Sequence, residues 1–156
     1  MTTPTYAVEA DCWGSGSWTG TTAPSNAAAL LRTANMLVRD TTATLVYSAD
    51  SSTGLPTDTD LLQAFQDATC AHAAALEAAG VNPLAAGTTP TIASTGIGSA
   101  NVSYAGAQAT AEARQRLITQ LCTEALMILR AAGALACAPA VSREVTGGYV
   151  TTSQER

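Results

Sequence analysis

The chain contains no lysine; its basic residues are seven arginines, set against twelve acids for a net charge of −5. Between Arg39 and Arg114 there is no lysine or arginine, whereas Asp40, Asp50, Asp58, Asp60, Asp67, Glu77 and Glu112 fall in that interval. A protein that grips nucleic acid needs clustered cations to displace counterions from phosphates, so this distribution argues against that class. Two uses of such an acidic surface stay open: ordinary solubilising charge, or a wall past which DNA slides without sticking. Aromatic residues are only 4% of the chain, and much of its 47% apolar fraction is alanine. A thin core is therefore expected, completed by close helix packing or by contacts with other chains.

Chemistry-bearing residues are equally scarce. There is one histidine, no GxSxG, no HExxH and no paired cysteine and histidine at nucleophile spacing. Gly96 and Gly98 form a GxG, but no strand-then-helix nucleotide unit surrounds it. The sequence thus predicts no enzyme, no catalytic residue, no cofactor and no metal. His72 follows Cys70 by two residues, which on a helix sets the two on different faces, so a satisfied core or interface histidine is expected. The four cysteines, Cys12, Cys70, Cys122 and Cys137, match no zinc ribbon or CxxC pair. The opening MTTPTYAVEADCW lacks the basic start and apolar run of a secretory signal. Free thiols made in a cytoplasm are the expectation, with Cys70 and Cys122 as small core residues. From Leu117 to Val141 the chain is apolar, yet Gln120, Glu124 and Arg130 interrupt it too often for a membrane span.

What is present is helical periodicity. At 156 residues the chain suits one domain with a tail at each end. The longest pattern runs from Gly106 to Ala132, with Leu117, Ile118, Leu121, Ala125, Ile128, Leu129 and Ala132 on one face; it is expected to be a continuous central helix, stopped by Gly133. An earlier helix starts near Pro24 or Ser25, with Ser25 as cap and Ala27, Leu30, Leu31, Ala34, Leu37 and Val38 as its apolar stripe. Thr41 to Ser48, rich in β-branched residues, suggests a short strand before a loop. Asp58 or Asp60 caps a second helix that carries Leu61, Leu62, Phe65, Thr69, His72 and Leu76 inward and stops at Gly80. PTIAST and NVSYA, joined by GIGSA, form a hairpin signal at about residues 88–105.

The ends are irregular. Residues 1–22 read as an arm bearing Trp13 and Trp18, which either anchor a partner surface or fold back onto the domain's own core. Residues 135–156 hold Val141, Val145, Tyr149 and Val150 without periodicity; this tail is either terminal disorder or a segment that orders on a partner. The expected fold is mainly α: a small bundle of three main helices over residues 23–134, with one projecting β-hairpin and extended N- and C-terminal arms.

This order of elements, with GLPTDTDLLQAFQDATCAHAAALEAAGV, the hairpin around STGIGSANVSYAGA and a final helix ending in LRAAGAL, resembles the head-to-tail adaptor (connector) proteins of long-tailed bacteriophages over about residues 24–145. The resemblance implies a virion structural protein in the head-tail neck. It would form a ring, usually of twelve copies, beneath the portal protein, with its other face toward a head-closure or tail protein. Genomic DNA would pass through the channel without sequence-specific binding. The same resemblance assigns the portal contact to Val141, Val145, Tyr149 and Val150, and the contact with the next ring or tail to the hairpin tip at Ile97, Gly98 and Asn101. The rival expectation is a small helical protein-protein interaction module of a cellular complex, distinguished by whether the chain closes into rings.

Overall fold

A computed structural model describes residues 4–85, 94–97, 100–103 and 107–135. The protein is mainly helical: α1 (Glu9–Cys12), α2 (Ala27–Thr41), α3 (Thr59–Ala78), α4 (Ala107–Thr119) and α5 (Thr123–Ala131), with a 3₁₀ turn at Pro83–Ala85. Strands β1 (Ser94–Ile97) and β2 (Ala100–Ser103) pair antiparallel, Ser94 opposite Ser103 and Ile97 opposite Ala100. Among the described residues no helix is long and apolar enough to cross a membrane.

The organising element is α3, not the stretch from Gly106 to Ala132. All four other helices contact α3. Six consecutive residues, Ala68, Thr69, Cys70, Ala71, His72 and Ala73, are buried, so the helix is covered on every side there. Small side chains permit this: alanines let neighbouring helices approach, and the buried Thr69 hydroxyl is satisfied by donating to the Phe65 carbonyl at 2.7 Å. Two cores result. On one side Cys70, Ala73 and Leu76 meet Leu30, Leu31, Ala34 and Trp13. On the other, Phe65, Ala68 and Ala71 meet Tyr6, Val38, Leu121, Ala125 and Leu129.

The expected continuous final helix is broken. Between α4 and α5 the Cys122 N–H, which in an unbroken helix would bond to the Ile118 carbonyl, instead donates to His72 Nδ1 at 3.0 Å. The break redirects the chain between cores. Leu117 and Ile118 pack against the first, whereas Leu121, Ala125 and Leu129, spaced by four, enter the second. Ala132, assigned to the inward stripe, is exposed.

The helix ends follow local chemistry. Asp58 caps α3, its Oδ1 accepting from the Asp60 and Leu61 N–H groups at 2.9 and 3.1 Å. α3 and α5 close alike. Gly80 and Gly133 take φ of +62° and +71°, and the next residues, Val81 and Ala134, donate back to Leu76 and Leu129. Each of these donors shares a core with its acceptor, so the glycine stop and the apolar contact reinforce one another. Ser25 does not cap α2: the helix begins after Asn26, and the Ala27 N–H bonds to the Pro24 carbonyl in a preceding turn.

No strand forms over Thr41 to Ser48. The helix runs to Thr41, and the Thr42 hydroxyl donates to the Val38 carbonyl at 2.8 Å, extending the turn. Only one isolated bridge follows, Ala49 with Pro56, around a turn in which Asp50 Oδ1 collects the N–H and hydroxyl groups of Ser52 and Thr53. Those four donors hold the exposed Asp50 carboxyl down at about 2.

Candidate partner-binding surface

The N-terminal segment, irregular apart from the single turn of α1, is laid onto the bundle rather than held away from it as an arm. Tyr6 inserts edge-on to Phe65, ring centroids 5.0 Å apart at 76°, and Tyr47 approaches the same ring at 5.8 Å and 86°. Burial, reinforced by Tyr47, pushes the Tyr6 phenol above its ordinary range. The Tyr6 N–H donates to Asn35 Oδ1 on α2 at 2.8 Å. Cys12 and Cys70 form a disulfide, Cα atoms 4.9 Å apart, which overturns the expectation of free thiols for this pair. Their 58-residue separation carries no spacing signal; only the packing of α1 on α3 brings them together.

The two tryptophans separate. Trp13 is buried at 3% exposure, and its indole Nε1–H donates to Glu77 Oε2 at 2.6 Å, so it takes the folded-back reading. Trp18 remains 41% exposed. Its loop is nonetheless held: the Trp18 and Thr19 N–H groups donate to the Asp11 and Cys12 carbonyls at 3.1 and 3.0 Å, and the Gly14 N–H to the Thr21 carbonyl at 2.7 Å. Gly14 and Gly16, at φ of +122° and +84°, allow that fold-back. The result is an exposed aromatic on a backbone tied, through Cys12, to the central helix. A shallow polar depression beside Trp18 is lined by Asp11, Asp67, Gln63 and Gln66.

A second feature lies along α2. Between the N-terminal segment and the outer stripe of α2 runs a groove of about 720 Å³, with Ala7, Ala28 and Leu31 as apolar lining and Arg32, Asn35, Met36 and Arg39 along α2. Met36 is 57% and Val8 54% exposed. Neither Arg32 nor Arg39 has an ion-pair or side-chain hydrogen-bond partner among the described residues.

His72 is a core residue, as expected, and it has a specific task. It is fully buried, and its Nδ1 accepts the Cys122 N–H, which requires the neutral ring with its proton on Nε2. Among the described residues Nε2 has no hydrogen-bond partner. Burial lowers the imidazole from 6.5 to about 4, and the Leu117 backbone opposes this only in part. Cys122, the free thiol nearby, is pushed up by burial, which makes it a poor nucleophile. Among the described residues no cluster of three or more His, Cys, Asp or Glu is placed to hold a metal ion.

Of the residues assigned to partners, Val141, Val145, Tyr149, Val150 and Gly98 lie outside the described residues. Ile97 ends β1, and Asn101 in β2 is paired in register with Gly96. The groove on α2 was missed by sequence reasoning, although Arg32, Met36 and Arg39 share a helical face. Its other wall, the chain around Pro4 to Glu9, is supplied only by tertiary packing. No protein family, curated protein or solved structure matches the chain.

Proposed function

We propose that this protein is a structural virion component, a head-to-tail adaptor that joins a DNA-filled capsid to its tail as a ring beneath the portal. The observation that supports the reading is the order of elements: an amphipathic helix, an irregular link, a long helix capped by Asp58, a paired β segment, then the final helical stretch. The interval from Arg39 to Arg114, free of lysine and arginine, suits a channel wall that repels passing DNA. The protein acts by assembly and not by catalysis. Its partners are copies of itself, the portal, and a head-closure or tail protein.

Native mass spectrometry of the full chain, alone and with a purified portal ring added, tests this. A closed multimer near twelve copies is expected, alone or on the portal. A monomer under both conditions, with no portal binding, would remove the adaptor reading and leave the cellular interaction module.

A further inference from the structure

We infer that copies of this chain join through the exposed Trp18 of one copy seated in the α2 groove of the next. The inference deepens the adaptor reading, on which it relies for the expectation that the chain of contacts closes into a ring.

Three observations carry it. First, the two surfaces are chemically complementary. Trp18 sits beside Asp11 and Asp67, while the groove offers the exposed Met36 side chain between Arg32 and Arg39. In the first 113 positions of this lysine-free, acidic chain Arg32 and Arg39 are the only arginines, and both line this groove. Seven residues apart on α2, they stand about 10 Å from one another along the helix, room for an indole between them. Glu9, the one acid among the described residues lining the groove, lies on the opposite wall.

Second, the two surfaces share no residue. Each copy can therefore donate its Trp18 to one neighbour and accept another's at the same time. Passed from copy to copy, such a contact is heterologous and builds rings or filaments, whereas a reciprocal exchange of Trp18 between two copies would close a two-fold dimer of distinct sedimenting mass.

Third, the knob is preorganised. The hydrogen bonds from Gly14, Trp18 and Thr19, with the Cys12–Cys70 bond behind them, fix the loop before contact, so little ordering cost remains to be met on association. A tryptophan entering an apolar slot between opposite charges has the composition of an interface hot spot.

The test uses the full chain with two sets of changes at exposed positions, W18A in the knob and R32E/R39E in the groove, measured by analytical ultracentrifugation at low and high salt. Wild type is expected to associate, more weakly as salt rises. Each variant, folded by circular dichroism, is expected to associate at least about tenfold more weakly. Mixed at equal concentration, the two variants should recover a heterodimer and stop there, because one lacks the knob and the other the groove. M36E, at an exposed helix position, is a second groove variant should the double reversal fail to fold. Folded variants that associate like wild type would overturn this interface while leaving the ring reading intact. A wild type that stays monomeric at all concentrations would also overturn it, with the portal titration then deciding the adaptor reading separately.

Discussion

His72 shows how one side chain directs a backbone. Its Nδ1 takes the Cys122 N–H from the helical ladder, and the chain turns from one core to the other at that point. The bond exists only while the ring is neutral. The folded imidazole titrates near 4 and the unfolded one near 6.5, so between these values the unfolded state binds more protons and stability falls as pH falls. The contribution is complete above pH 6.5, is lost progressively toward pH 4, and amounts to about 3 kcal/mol. Urea unfolding of wild type and His72→Asn across pH 7.5 to 4 should show the difference: the variant keeps an acceptor near the Nδ1 position and loses this slope. Parallel profiles would mean that the histidine does not titrate on unfolding. The sequence placed His72 correctly in the core, because its helical position is local information. It did not show the residue's task, because the partner is a backbone N–H fifty residues away.

At the scale of elements, the balance among helices is the main correction. A count of large aliphatic residues favours the stretch from Leu117 to Leu129, yet α3 occupies the centre because its alanines admit neighbours on every side. Thin side chains mark a helix that is approached closely, and size alone misjudges it. The N-terminal segment is the second correction. Tyr6, Cys12 and Trp13 complete both cores, which an alanine-rich bundle of few aromatics could not fill unaided. The disulfide ties this segment to α3 across 58 residues, and a loop of that length implies a chain-entropy stabilisation of about 4 kcal/mol. Reduction, or Cys12→Ala with Cys70→Ala, should lower the midpoint of thermal unfolding accordingly. Proteolysis should then open the chain first between residues 4 and 26. An unchanged midpoint after confirmed reduction would show that packing of Tyr6 and Trp13 alone holds the segment. Helix caps, by contrast, were legible at Asp58, Gly80 and Gly133, since each depends on neighbours within a few residues.

At the scale of the whole molecule, the two cores built by the described residues span Tyr6 to Leu135 and draw on all five helices or the segments beside them. Removing residues 139–156 should leave helical content and cooperative unfolding unchanged, and weaken binding to a portal ring at least about tenfold. A truncated protein that binds the portal as well as the full chain would take Val141, Val145, Tyr149 and Val150 out of that contact. Charge acts at this scale too: the net charge of −5 is a property of the whole chain, readable from the sequence because it needs no coordinates. By itself the sequence determined the helical class, both ends of α3, the C-terminal end of α5 and the inward position of His72, all legible from patterns within one or two turns. The tertiary structure alone decided which helix is central, where the last helical stretch breaks, that Cys12 meets Cys70, and that Trp13 is buried while Trp18 is not. Each of those depends on a contact between residues far apart in the chain, and no local pattern encodes the partner.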